Sequence, residues 1–127
     1  MVMNIVSKLV SSLKSFKEIK AIYLFGSTAR GEAGVLSDTD ICIIAPTISE
    51  KLKTEILGFS SRKIDLVLFE DLPLNIKMRV LQEGKVLFVS DQRYRDDLAW
   101  RTTKEYIDFG SRRNMFLELY LPEIAHV

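Results

Sequence analysis

The sequence predicts an α/β (α+β) fold, with elements in the order αββαβαβ and a helical tail behind them. Three observations carry this. Four short apolar runs, "AIYLF", "DICIIA", "KIDLVLF" and "KVLFVS", are bounded by turn residues or charges and have strand length. The stretches between and before three of them place apolar residues three and four apart, the spacing of one helix face. With 127 residues, 47% of them apolar, the chain has the length of one domain and can remove roughly two-thirds of its unfolded surface from water.

Each element has a local reason. Ile5, Val6, Leu9, Val10, Leu13 and Phe16 form an apolar stripe with serines and lysines opposite, which predicts an amphipathic helix over 4–18. "AIYLF" follows as a buried strand that Gly26 ends; "STARGEAG" is too rich in small residues to prolong it, and "DICIIA" restarts a strand that stops at Pro46. Thr47 with Glu50 three residues on has the spacing of a capping box, ahead of a helix in "ISEKLKTEILGFSS". "KIDLVLF" is the third strand. Asp71, Leu72 and Pro73 open a third helix, Gly84 stands where a left-handed C-terminal glycine is expected, and "KVLFVS" is the fourth strand. From Gln92 to Leu121 the spacing is helical again, with Tyr94, Leu98, Tyr106, Phe109, Phe116 and Tyr120 as a stripe. Gly110 costs about 1 kcal/mol relative to alanine inside a helix, which predicts a break there or two helices. The stripe has two readings, packing on the protein's own sheet or docking on a partner.

The totals exclude several classes. Eighteen Lys and Arg against 17 Asp and Glu leave a net charge of +1, so nothing in the charge argues for direct nucleic-acid binding or attraction to an acidic membrane. No apolar run approaches the ~20 residues that span a bilayer, and the lone Cys42 cannot form an intrachain disulfide, so a cytoplasmic protein is expected. Cys42 reads as a small buried hydrophobe, and His126 carries no argument.

The stretch "LFGSTARGEAGVLSDTDICII" sets two aspartates at the head of an otherwise apolar strand. Strand alternation sends Asp38 and Asp40 to one side, with α-carbons about 6.6 Å apart. Should the "KIDLVLF" strand lie beside theirs, Asp65 joins them. Three carboxylates so close repel unless cations stand between them, and oxygen ligands without histidine or cysteine favour Mg²⁺ or Mn²⁺ over zinc. Gly26 allows a ligand close to the backbone, Ser27 offers a hydroxyl, and "STAR" would open a short helix whose N–H groups favour an anion. Arg30 is a phosphate ligand or the partner of Glu32 or an aspartate in an ion pair.

Gly26-Ser27, ten intervening residues, Asp38-Thr39-Asp40 and the later strand-borne Asp65 resemble the signature of the polymerase-beta-type nucleotidyltransferase superfamily, and "FGSTARGEAGVLSDTDICI" most resembles its minimal nucleotidyltransferase (MNT) branch, the MntA-like antitoxins of HEPN/MNT toxin–antitoxin pairs. The resemblance spans residues 1 to about 90, a catalytic core, with the tail of about 92–121 similar in kind only. It implies the nucleotidyltransferase fold, a small mixed sheet flanked by helices. It implies two Mg²⁺ ions on Asp38, Asp40 and Asp65, and phosphates at Gly26 and Ser27. The reaction it implies is transfer of AMP from ATP to a tyrosine hydroxyl of a partner HEPN RNase toxin, in a hetero-oligomer with that toxin or from a homodimer. Two alternatives stand beside this: an antitoxin that neutralises by binding alone, and a nucleotidyltransferase acting on a small-molecule hydroxyl such as an aminoglycoside.

Overall fold

Alternation within the four strands sorts the chain into two apolar layers. A computed structural model describes residues 2–26 and 39–125. Helix α1 (Val2–Leu13) precedes β1 (Ala21–Phe25) and β2 (Thr39–Ile44); α2 (Glu50–Leu57), β3 (Ile64–Leu68), a 3₁₀ turn at Phe69–Asp71, α3 (Leu74–Glu83), β4 (Lys85–Val89), α4 (Gln92–Tyr120) and α5 (Pro122–Ala125) follow. The sheet order is β3-β2-β1-β4. β1 lies antiparallel to β2 and to β4, with an irregularity against β4 between Ile22 and Tyr23, whereas β2 and β3 are parallel, so the sheet is mixed as expected.

One face presents Ile22, Leu24, Ile41, Ile43, Leu66 and Leu68 to Val6, Leu9, Val10 and Leu13 of α1 and Ile56 of α2. The opposite face presents Ala21, Tyr23, Cys42 and Ile44 to Phe69 and to Val80 of α3, with Tyr94 and Leu98 of α4 against their edge. The period of two in "TDICII" therefore places Asp40 on the α3 and α4 side, in line with Cys42 and Ile44.

Four local expectations are revised. Helix α1 ends at Leu13, five residues short of 18, and 3₁₀-type bonds from Phe16 N–H to Leu13 O and from Ile19 N–H to Phe16 O carry the chain into β1. The cap of α2 is Ser49 and not Thr47: the Ser49 Oγ accepts from the Leu52 N–H at 3.2 Å. Gly84 is not left-handed. Its φ of −68° and ψ of 147° turn α3 directly into β4, and a Cβ there would run into the Val80 carbonyl oxygen and approach the Tyr23 ring to 3.1 Å. Space, not handedness, accounts for this glycine.

The fourth concerns the tail. Helix α4 runs unbroken for 29 residues through Gly110, where a Cβ would meet nothing within 4 Å outside the helix's own backbone. A helical glycine with open space beside it costs about 1 kcal/mol and leaves the hydrogen-bond ladder intact. The first turns of α4 pack on the sheet side. Asp91 caps its N-terminus by accepting from the Tyr94 N–H at 2.9 Å, Tyr94 and Leu98 reach the sheet-side cluster, and Thr102 is buried. Beyond them Ile107, Phe109, Met115, Phe116, Leu119 and Tyr120 are all more than half exposed. The stripe expected from sequence therefore divides into a packed start and an uncovered end. No helix among the described residues is long and apolar enough to cross a membrane.

Candidate active site

The strand registers bring one end of the sheet together. Phe25, the last residue of β1, is opposite Asp40 on β2, and Asp40 is opposite Asp65 on β3. On the far side of β1, Leu24 is opposite Lys85, the first residue of β4. Because β2 and β3 are parallel, register partners project to one face, and neighbouring strands are about 4.8 Å apart. Asp40 and Asp65 are thus adjacent carboxylates on the α3 and α4 side. The Thr39 N–H donates to the Lys63 carbonyl at 2.8 Å just ahead of both, tying the heads of the two strands. Asp40 is half-buried and Asp65 exposed.

Gly26 closes the arrangement. It leaves β1 with φ at +81°, a backbone that side-chain-bearing residues rarely adopt. A Cβ on it would stand 2.5 Å from the Asp40 Oδ2. The glycine is therefore required twice, for its left-handed turn and for the space that the Asp40 carboxylate occupies over its backbone. The end of β1 and the heads of β2 and β3 meet at one end of the sheet, where backbone, carboxylate and carboxylate follow in order.

Ser27, Arg30 and Asp38 lie outside the described residues. Among the described residues no group of three or more histidine, cysteine or acidic side chains is placed to hold a metal, since only Asp40 and Asp65 of the expected three are included. Cys42, the next residue inward on the Asp40 face, does not add to the set. Burial, with the Glu70 carboxylate as the lesser cause, pushes its thiol well above the ordinary range, so it stays protonated and packs as an apolar group.

Two residues not singled out by the sequence pattern border Asp65. Ser61 N–H donates to the Ile64 carbonyl at 2.9 Å and Leu66 N–H to the Ser60 Oγ at 3.2 Å, so the chain before β3 folds back along its outer edge with Arg62 and Lys63 at the tip. Both are exposed. Their dibasic pair directly ahead of "ID" was visible in the sequence, but only the fold-back places it at the edge of the site.

The family model described as polymerase beta, nucleotidyltransferase matches residues 7–93, from the middle of α1 to the first turn of α4. The chain belongs to the polymerase-beta-type nucleotidyltransferase family. Within this nucleotidyltransferase, the match takes in every strand and Gly26, Asp40 and Asp65 together. A relative in Methanocaldococcus jannaschii, named for an inferred protein adenylyltransferase activity, is 35% identical over 104 residues, which cover 78% of this chain and 80% of the relative. A chain from a toxin–antitoxin crystal structure with AMP-PNP is similar with a TM-score of 0.70 at 25% identity, over 91% of this nucleotidyltransferase and 94% of that chain. A second similar chain comes from a complex of a tri-AMPylated Shewanella oneidensis HEPN toxin with an MNT antitoxin; its TM-score is 0.67 at 23% identity, over 93% of this chain and 97% of that one. The last likeness is one of fold, and its coverage extends beyond the strands into the tail.

Proposed function

We propose that this nucleotidyltransferase is an antitoxin that transfers AMP from ATP to a tyrosine hydroxyl of a partner HEPN toxin and so neutralises it. The observation that carries the reading is the in-register pair Asp40 and Asp65 beside a left-handed Gly26 whose missing Cβ leaves room for the Asp40 carboxylate. Two acidic oxygen donors next to an open backbone turn fit a divalent cation and a nucleotide's phosphates far better than they fit a structural role. The relatives support the same chemistry, one by its adenylyltransferase name and one by crystallisation with AMP-PNP.

In this reading Asp40 and Asp65, with Asp38, hold two Mg²⁺ ions, or Mn²⁺ in their place. When bound, the ions neutralise the triphosphate and the charge that develops on the departing pyrophosphate. The chain's own groups do the rest. Gly26 admits the triphosphate to the backbone, Ser27 donates its hydroxyl to a phosphate oxygen, and Arg30 neutralises another. Asp65, the outermost carboxylate, takes the proton of the acceptor hydroxyl as its oxygen bonds to the α-phosphorus of ATP and the bond from that phosphorus to pyrophosphate breaks. The products are an AMP ester of the acceptor and pyrophosphate. Catalysis is chiefly alignment and charge, and the parallel ladder that locks Asp40 beside Asp65 supplies the alignment. The core of about 1–90 then carries the chemistry, and the tail of 92–121 acts as the surface that brings the acceptor.

With labelled ATP and Mg²⁺, the purified protein is expected to label its cognate HEPN toxin, and both Asp40→Asn and Asp65→Asn are expected to abolish the label while leaving the thermal melt in place. Labelling that persists in both variants would contradict the assignment. The uncovered apolar end of α4 favours a second reading, neutralisation by occupation alone, in which toxin bound by the Asp40→Asn variant stays inactive without modification.

A further inference from the structure

The site has two unlike sides. Across the sheet end the order is Gly26, Asp40, Asp65 and then the turn that folds back over the outer edge of β3 with Arg62 and Lys63 at its tip. In a phosphoryl displacement the entering and leaving oxygens lie on opposite sides of the phosphorus, roughly in line. If the triphosphate and its departing pyrophosphate occupy the Gly26 side, the incoming hydroxyl approaches from the Asp65 side. The turn that carries Arg62 and Lys63 lies on that side, beyond Asp65.

Three features make this turn more than a solvated corner. Its backbone is held from both sides, by the Ser61 N–H on the Ile64 carbonyl and by the Thr39 N–H on the Lys63 carbonyl at 2.9 and 2.8 Å. Lys63 and Asp65 stand two residues apart, so the backbone that carries the cations is held close to the one that carries the carboxylate. Neither Arg62 nor Lys63 makes an ion pair among the described residues. Two cations on an anchored turn at the acceptor side of an acidic site are complementary to an anion on the acceptor.

On the reading of the site given above, we infer that Arg62 and Lys63 select an acceptor whose hydroxyl lies next to an anionic group, which they hold outside Asp65. The same chemistry has two sources. One is a carboxylate of the acceptor protein flanking the modified side chain. The other is the phosphate of an AMP already transferred, whose ribose hydroxyl then takes the next AMP: its oxygen bonds to the α-phosphorus of a new ATP, pyrophosphate leaves and Asp65 takes the proton. More than one AMP on one acceptor protein has a precedent in the tri-AMPylated HEPN toxin of the similar complex.

The test follows successive AMP additions to the cognate HEPN toxin by intact mass, for wild type, Arg62→Gln/Lys63→Gln and Arg62→Lys/Lys63→Arg. Both residues are exposed and their backbone bonds do not involve the side chains, so the variants fold. Loss of a charge-assisted contact raises KM for the acceptor about tenfold with kcat little changed. The charge-conserving variant Arg62→Lys/Lys63→Arg keeps the wild-type KM, and added salt raises KM in wild type but not in the Gln pair. A KM effect on the first addition assigns the anion to an acceptor carboxylate; an effect confined to later additions assigns it to the transferred phosphate. Unchanged KM for every addition in the Gln pair, or a raised KM that the charge-conserving variant shares, overturns the inference. Wild type that adds no AMP at all defeats instead the reading on which it rests.

Discussion

At the level of single residues the account depends on Gly26 more than on any charged group. A side chain at φ +81° costs about 1–2 kcal/mol by backbone alone. The added Cβ must also displace the Asp40 carboxylate that it would meet at 2.5 Å. Gly26→Ala is therefore expected to lower the melting temperature by a few degrees and to reduce AMP transfer about a hundredfold, since misplacing a ligand by an ångström has that effect. Transfer at the wild-type rate with a lowered melt would separate the glycine from the site. This residue was legible as a turn in the sequence, as were Asp40 and Asp65 as acids on apolar strands. The contact between Gly26 and Asp40 was not, because it depends on the antiparallel register of β1 and β2.

Glu70 makes a second prediction at this scale. The residue is exposed overall, yet its carboxyl turns inward toward Cys42 and accepts from the Ala45 N–H. Burial raises its pKa above the usual glutamate value, with those backbone hydrogen bonds opposing the shift. Between the unfolded and folded pKa values the native state binds more protons, so this group's contribution is most favourable below about pH 4 and is lost as pH rises through the raised folded value. Glu70→Gln keeps an acceptor for Ala45 and removes the buried charge. It is expected to melt higher than wild type at neutral pH, with the gap closing as pH falls to about 4; a gap independent of pH would contradict this origin.

Among the elements, strand and helix order followed from apolar spacing because each segment had one clear period. The ends were less legible. Ser49 rather than Thr47 caps α2, a choice set by where the chain leaves β2, and Gly84 is small because the Val80 carbonyl and the Tyr23 ring stand over it. The pairing of β2 with β3 as parallel neighbours, the step that joins Asp65 to Asp40, required α2 to cross the sheet and could only be stated conditionally from sequence. Helix α4 gives the clearest case of a local signal overruled. Gly110 has open space around it and no alternative partner for its backbone. Gly110→Ala is expected to raise stability by about 0.5–1 kcal/mol in urea unfolding, as it does for an exposed helix interior. A neutral or destabilising result would mean that the glycine serves a contact made outside this chain.

For the molecule as a whole, a family core and a projecting helix divide the work. The family match ends at residue 93, in the first turn of α4, so most of that helix lies beyond it. Trp100 at 67% exposure and Leu119 at 68% belong to no cluster of the protein's own core. An uncovered helix end of this kind on a nucleotidyltransferase fits an enzyme whose acceptor is delivered by binding. The central claim is that neutralisation proceeds by chemistry at Asp40 and Asp65, not by occupation. The measurement that bears on it most directly is the intact mass of the HEPN toxin recovered from cells that also make this protein, wild type or Asp40→Asn. The account predicts AMP adducts on the toxin beside the wild type and none beside Asp40→Asn, with the two proteins still co-purifying in both cases. An unmodified toxin that wild type nevertheless silences, or equal adducts with either form, would contradict it.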